Sequence, residues 1–171
     1  ERFENGTVNY LNIPAITTGL NFITAAGIDN INNRIKDLSR LFLTNLPKLL
    51  HDTGMPVIKL YGPANTANRG GTFLINFFDT DELVYPLQHV EKLAAENKIS
   101  LRTGCFCNPG IDELNNWISA EELKKFFGER EYGDYDDMIE FTGKMRGAVR
   151  ISFGIATTAI DIAKFIRFAK S

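Results

Sequence analysis

The stretch TFLINFF at residues 72–78 says most about the fold of this chain. It is β-branched, aromatic and almost unbroken in apolarity, which is typical of a strand buried in a sheet. Other short strands are predicted at 57–61, 99–102 and 148–153. Helical patterns separate the strands without a regular strand–helix–strand alternation. We therefore expect an α+β domain in which helices cover a small, mainly antiparallel sheet.

Helices are predicted before, between and after these strands. In the longest, apolar residues recur at three- and four-residue spacing, and in two others a capping box marks the start. Residues 103–110, rich in glycine and proline, are predicted to form a loop. The predicted helices cover 12–25, 29–50, 86–97, 119–127 and 158–169, with one more short helix after an acidic turn at 133–137.

Composition excludes several classes of protein. The 171 residues are 44% hydrophobic and 23% charged, which is ordinary for a globular domain and unlike a disordered or collagen-like chain. The 19 basic and 21 acidic side chains give a net charge of −2, so we expect no nucleic-acid partner. No apolar run reaches the ~20 residues that span a bilayer, and no signal peptide is evident. We expect a cytoplasmic protein without a membrane partner.

Cys105 and Cys107 are the two cysteines of the chain, and both lie in the predicted loop. A zinc site needs four ligands, and the only histidines, His51 and His89, are distant in sequence, so no metal site is expected. A disulfide between residues two apart would be strained. Two interpretations stay open. The thiols are buried and unreactive, as free cysteines often are, or one is a nucleophile, for which a loop position near Arg102 is suitable.

Arg150 and the pair Gly6-Thr7 are the other candidate functional residues. Arg150 stands in an otherwise apolar strand. It either lies at the sheet edge and reaches solvent, or points inward and needs an anionic partner. A substrate carboxylate would match its planar fork. Gly6 and Thr7 either cap a helix or offer N–H groups and a hydroxyl to a phosphate.

Three segments carry a resemblance to a known family: FENGT at 3–7, RTGCFCNPG at 102–110 and GAVRISFG at 147–154. They resemble the C-terminal part of class V, fold-type I pyridoxal-phosphate enzymes. The similarity is greatest to the aminotransferase-like part of molybdenum cofactor sulfurases, whose relatives include cysteine desulfurases and selenocysteine lyases. It extends over almost the whole chain. It implies that 1–171 is the C-terminal small domain of such an enzyme, with 1–27 linking it to a large domain.

The resemblance implies roles around the predicted loop. Cys107 matches the nucleophile that becomes a persulfide, and Cys105 ranks second. Arg150 matches the arginine that binds the substrate α-carboxylate, and Arg102 matches a second arginine near the same carboxylate. The implied reaction takes sulfur from L-cysteine, with pyridoxal phosphate as electron sink, and leaves alanine. The sulfur acceptor is open, and molybdenum cofactor is one candidate.

The resemblance also implies a cofactor contact and a partner subunit. Thr7, following Gly6, matches a threonine that reaches the cofactor phosphate, typically in the neighbouring subunit of a homodimer. The chain departs from the family in two respects. No lysine stands in the sequence context of the family's cofactor lysine, so we expect the isolated chain to be inactive. Asp112 replaces a later cysteine of the sulfurase motif.

Two other functions are compatible with these residues. One is a class V aminotransferase or lyase that keeps the two-cysteine loop without forming a persulfide. The other is a non-catalytic domain that serves dimerisation or interaction. The desulfurase-type function is preferred because a nucleophile, two arginines and a threonine all fall on matched positions, and a domain that only packs needs none of them.

Overall fold

A computed structural model describes residues 6, 9–108, 110–129 and 133–171. Its four strands form one sheet in the order β1-β2-β4-β3, with each neighbouring pair antiparallel. This confirms the predicted α+β architecture. The described elements are α1 (Ile13–Ala26), α2 (Ile28–Asn45), a 3₁₀ turn (Leu46–Lys48), β1 (Ile58–Tyr61), β2 (Thr72–Phe77), α3 (Leu87–Glu96), β3 (Arg102–Gly104), α4 (Gly110–Asn115), α5 (Ala120–Glu129), α6 (Tyr135–Thr142), β4 (Ala148–Ser152) and α7 (Ala159–Phe168).

One face of the sheet builds the main hydrophobic core. Strand side chains alternate between faces, so Phe73, Ile75 and Phe77 of β2 point together into the space beneath α2, α3 and α7. Phe42 of α2 is fully buried there and lies 4.7 Å from the ring of Phe73, centroid to centroid. Phe165 of α7 is 5.7 Å from Phe42. The apolar, aromatic character of 72–78 thus serves a packed layer between sheet and helices.

The opposite face of the sheet is polar at its centre. Alternation places Leu74 and Asn76 of β2 there, beside Ala148 and Arg150 of β4. Asn76 and Ala148 are fully buried. The Asn76 amide donates to the Tyr61 hydroxyl and the Gly147 carbonyl at 3.3 and 3.4 Å. This second face therefore carries polar groups in partly water-excluded surroundings.

Two sequence predictions about this part of the fold were wrong. A strand was predicted at 99–102, whereas β3 covers Arg102–Gly104. The apolar pattern predicted the wrong residues because Ile99 and Leu101 lie in the connection after α3 and pack on the main core from there. In this connection the Ile99 amide donates a hydrogen bond to the Ala94 carbonyl. The loop predicted at 103–110 contains the end of β3 and the first residue of α4.

α1 is apolar and exposed. It carries no charged residue, and none of its side chains is buried. Its large apolar side chains are 40–63% exposed, namely Ile13, Ile16, Leu20, Phe22 and Ile23. Contiguous exposed apolar surface is typical of an interface. Among the described residues, no helix combines the length and apolar character that crossing a membrane requires.

An ion pair anchors the start of α5. The Lys144 ammonium donates to both carboxylate oxygens of Glu122 at 2.7 and 2.8 Å, and to the Trp117 carbonyl at 2.7 Å. The predicted capping box is confirmed, because Glu122 accepts from the Ser119 amide and its own amide donates to the Ser119 hydroxyl. The hydrogen bond from Lys144, with that from Ser119, lowers the pKa of Glu122 from 4.5 to about 2.

We predict that Glu122→Gln reduces the acid sensitivity of the fold. Because the pKa of Glu122 is lower in the folded than in the unfolded chain, its stabilisation is present above pH 4.5 and is lost as the pH falls towards 2. The unfolding free energy of the variant should therefore change less with pH across that window than that of the parent. Urea unfolding at several pH values measures this.

Glu121→Gln is the matched control, because it removes the exposed carboxylate next to Glu122 in sequence. It should keep the full acid-sensitive slope, including the part due to Asp161, whose pKa is also lowered by hydrogen bonds from Thr158. Equal slopes for the two variants would contradict a specific contribution from the Glu122 ion pair.

Candidate functional site

Arg102 and Arg150 lie directly opposite each other in the antiparallel pairing of β3 with β4. Directly opposed residues project from the same face of a sheet. Leu74 of β2 is the opposite partner of Arg150 on its other side, so the arginines continue a row across the second face. Like charges placed directly opposite are destabilising. An anion bound between the two guanidinium groups would remove this repulsion.

The structure excludes the interpretation that Arg150 lies on an edge strand of the sheet. β4 lies between β2 and β3, so Arg150 is not on an edge strand. Its Nε is buried without a hydrogen-bond partner. In the described part of the chain, neither Arg150 nor Arg102 forms an ion pair. A carboxylate can accept hydrogen bonds from two adjacent N–H groups of a guanidinium. It would therefore supply the acceptor that Nε of Arg150 lacks.

Phe106 lies over both guanidinium groups. Its ring centroid is 5.1 Å from Cζ of Arg150 and 5.7 Å from Cζ of Arg102. These distances allow cation–π attraction, which offsets part of the repulsion between the two charges. The aromatic ring offers no acceptor to the buried Nε of Arg150.

The two cysteines flank this phenylalanine in a tight turn. The Asn108 amide donates to the Cys105 carbonyl at 2.9 Å. Both central residues, Phe106 and Cys107, have positive φ, at 56° and 57°, which is characteristic of a type I′ turn and uncommon for residues other than Gly, Asn and Asp. Neither cysteine is in a disulfide; Cys105 is half-buried and Cys107 is exposed. Cys107 is therefore not a buried thiol.

Asp112 fastens the end of this loop to the start of β4. It is 2% exposed. One of its oxygens accepts from the Gly147 amide at 2.6 Å, and the other accepts from Nε of Arg146 at 2.9 Å. The Asn116 amide adds a bond to Asp112 and one to the Gly147 carbonyl. α4, which follows the cysteine turn, is thereby held against the strand that carries Arg150.

The remaining predicted site residues lie apart from this group. Gly6 is exposed, with φ of 96°, and α1 begins only at Ile13, so Gly6 does not cap that helix. Thr7 lies outside the described residues. Within the described ranges, no cluster of three or more His, Cys, Asp or Glu side chains is arranged to hold a metal ion.

Sequence reasoning missed two residues of the site. Phe106 belongs to the two-cysteine motif, and an aromatic residue between two loop thiols and near Arg102 is a signal for a cation–π partner. Asp112 was noted only as a replacement for a cysteine. Its burial has no local signal, because its partners Arg146 and Gly147 are distant in sequence.

Comparison with known proteins assigns the family. A sequence model of the aminotransferase class-V family matches residues 1–165. The chain belongs to the class V aminotransferase family. Members of this family use pyridoxal phosphate, which confirms the cofactor expected for it.

Curated relatives of this class V chain are molybdenum cofactor sulfurases. The human protein is 32% identical over 98% of the chain and 19% of its own length. The tomato (Solanum lycopersicum) protein is 36% identical over 100% of the chain and 21% of its own length. The chain thus spans about a fifth of the length of these relatives.

A solved structure shares the fold. It is the apo structure of a cysteine desulfurase from Thermococcus onnurineus NA1, with a TM-score of 0.63 and 18% identity. The match covers 99% of this class V chain and 32% of that chain. The four-stranded antiparallel sheet with its helices is therefore a cysteine desulfurase-like fold.

We predict that Asp112→Asn is strongly destabilising. Asparagine turns an amide N–H2 or a neutral oxygen towards Nε of Arg146, so the buried position loses a charge-assisted hydrogen bond, which costs about 1.5–3 kcal/mol. The free energy of unfolding from urea titration measures the loss. Glu113→Gln is the control on the adjacent exposed residue and should change stability by less than about 0.5 kcal/mol. Equal losses in both variants would contradict the anchoring role of Asp112.

Proposed function

We propose that this class V domain supplies the substrate-carboxylate site and the sulfur-accepting thiol of a pyridoxal-phosphate-dependent cysteine desulfurase of the molybdenum cofactor sulfurase type. The observation that carries the proposal is the Arg102–Arg150 pair, with its unpartnered buried Nε, beside the exposed Cys107. In this proposal an amino-acid carboxylate binds the arginines, and the thiol of Cys107, the residue after the ring that contacts both arginines, attacks the substrate sulfur. The human and tomato sulfurases match 98% and 100% of the chain at 32% and 36% identity.

The residues of this chain fit the substrate end of such a site. The orphaned Nε of Arg150 is a donor for a carboxylate. No lysine of the chain stands in the sequence context of the family's cofactor lysine, so we assign that role to a lysine outside these residues. Gly6 and Thr7 are the groups we assign to the cofactor phosphate.

Each residue of the site has a distinct part in the proposed reaction. Bound pyridoxal phosphate supplies the electron sink that makes the substrate sulfur transferable. Arg150, assisted by Arg102, holds the carboxylate and orients the substrate. The sulfur of Cys107 forms a bond to the substrate sulfur while the bond from that sulfur to carbon breaks. Cysteine and the enzyme thiol become alanine and an enzyme persulfide, so atoms balance without an added oxidant or reductant.

The relatives' names point to molybdenum cofactor as the first acceptor to test. An exposed thiol in a short turn is suitable for passing sulfur to a separate acceptor, since the persulfide is accessible from solvent. The acceptor can be identified by mixing the persulfidated protein with candidate acceptors and following loss of the extra sulfur atom.

We predict that Cys107→Ser abolishes persulfide formation in the natural protein that contains these residues. A serine hydroxyl cannot accept sulfur. Cofactor binding should be unaffected, because the side chain at position 107 takes no part in it. With pyridoxal phosphate and L-cysteine, the parent should release alanine and gain one sulfur atom on the peptide containing Cys107, as mass spectrometry measures. The cofactor absorbance of the variant should be unchanged.

Cys105→Ser is the matched control, because it removes the neighbouring half-buried thiol. It should retain both alanine release and persulfide. Undiminished persulfide in Cys107→Ser would contradict the proposed nucleophile, and cofactor binding without persulfide in the parent would favour another class V reaction. If the natural protein that contains these residues binds no cofactor, the result would favour a non-catalytic domain.

We predict that the 171-residue chain self-associates through α1. The exposed side chains of this uncharged helix can pack against a second copy without charge repulsion. Ile16→Lys, at a position that is 60% exposed, should shift sedimentation towards monomer. Thr17→Lys introduces the same charge at the next exposed position and should shift it less. A monomeric parent chain would contradict this prediction.

A further inference from the structure

We propose that Phe106 is a positioning residue that closes the carboxylate site and couples its occupation to the location of the Cys107 thiol. This inference rests on the proposed function, because it takes the two arginines as the carboxylate site. The ring occupies the space over both guanidinium groups. We infer that, in the free chain, the ring limits the access of a negatively charged substrate group to these two guanidinium groups.

A carboxylate is a better partner for the arginines than the ring. Charge-assisted bidentate hydrogen bonds to a guanidinium are stronger and more directional than cation–π attraction at a partly exposed site. The ring leaves Nε of Arg150 without an acceptor. A carboxylate can provide one and also neutralise the repulsion between Arg102 and Arg150. Binding of the substrate therefore favours displacement of Phe106.

The backbone at Phe106 is poised to move when the ring leaves. Phe106 and Cys107 both hold a left-handed conformation, which is unfavourable for side chains of these types. The turn is closed by the hydrogen bond from the Asn108 amide to the Cys105 carbonyl. The ring contacts with the arginines offset this strain, so their loss lets both residues relax. Since Cys107 follows Phe106 directly, its thiol moves with the ring.

The flanks of the turn confine this movement. On one side Gly104 is paired with Ala148 in the sheet. On the other side α4 is held by the Asp112 bonds to Arg146 and Gly147. The rearrangement is therefore restricted to a short turn beside the arginines. The consequence is that Cys107 is released when a carboxylate occupies the site, rather than at random.

The test is a titration of the 171-residue chain with L-alanine, which has the amino-acid carboxylate and no thiol. The chain is labelled with ¹⁵N and 4-fluorophenylalanine, and ionic strength is kept constant. Among 13 phenylalanines, the Phe106 fluorine signal is the one lost in Phe106→Leu. We expect the Arg150 Nε–H, the Phe106 fluorine and the Cys107 amide signals to shift with one common midpoint. L-Alaninamide, which has no carboxylate, should shift none of them.

Two variants separate a closing role from a structural one. In Phe106→Leu, L-alanine should bind about tenfold more tightly if the ring covers the site in nine molecules of ten, and the Cys107 amide should no longer respond to binding. Phe106→Tyr keeps the aromatic face and should restore the native affinity and the coupled shift. Circular dichroism and thermal unfolding show that each variant is folded.

The outcomes distinguish this inference from the proposed function. A shift of Arg150 without a shift of the ring or of Cys107 would overturn the role of Phe106 and leave the carboxylate site standing. Weaker binding of L-alanine by Phe106→Leu would also overturn it, because the ring would then be part of the binding surface. No shift of Arg150 in the parent or the Leu variant would overturn the carboxylate site itself.

Discussion

The direct pairing of Arg102 with Arg150 across β3 and β4 is the constraint on which the site depends. Two permanent positive charges sit opposite each other on one face of a sheet, and at least one N–H of Arg150 is shut away from water without an acceptor. Such an arrangement costs stability. An anionic ligand would compensate both features, and this is the reason that we propose a binding function for the site rather than packing alone.

The rest of the domain divides between rigid support and a strained turn. The aromatic core around Phe42 and Phe73 fixes the sheet from one side, and Asp112 fixes α4 to the start of β4 from the other. Between these supports, the turn at 105–108 holds two residues in an unfavourable conformation. In the proposed function the arginines on the sheet orient a substrate, whereas a thiol that transfers sulfur would have to reach both a substrate and an acceptor. The two mechanical properties match these two tasks.

Features that depend on neighbouring residues in the sequence could be predicted, whereas features that depend on contacts between distant residues could not. The buried strand predicted at 72–78 is confirmed, because a run of apolar and β-branched residues is a local signal for burial in a sheet. β3 was misplaced because Ile99 and Leu101 are apolar for reasons of core packing, outside any strand. The placement of Arg150 on a central strand, and its pairing with Arg102, depend on strand order, which no local pattern encodes. The role of Thr7 stays a prediction, since it lies outside the described residues.

Resemblance and geometry contribute different parts of the argument. The family match justifies pyridoxal phosphate as the cofactor of such enzymes, but a shared fold alone does not assign a reaction. The charge pair, the ring that contacts both arginines and the exposed thiol of the next residue support the proposed reaction. An aminotransferase needs an arginine for the carboxylate, yet gains nothing from an exposed cysteine in a strained turn beside it. A persulfide-forming enzyme needs both, and that difference makes sulfur transfer the better explanation of this combination of residues.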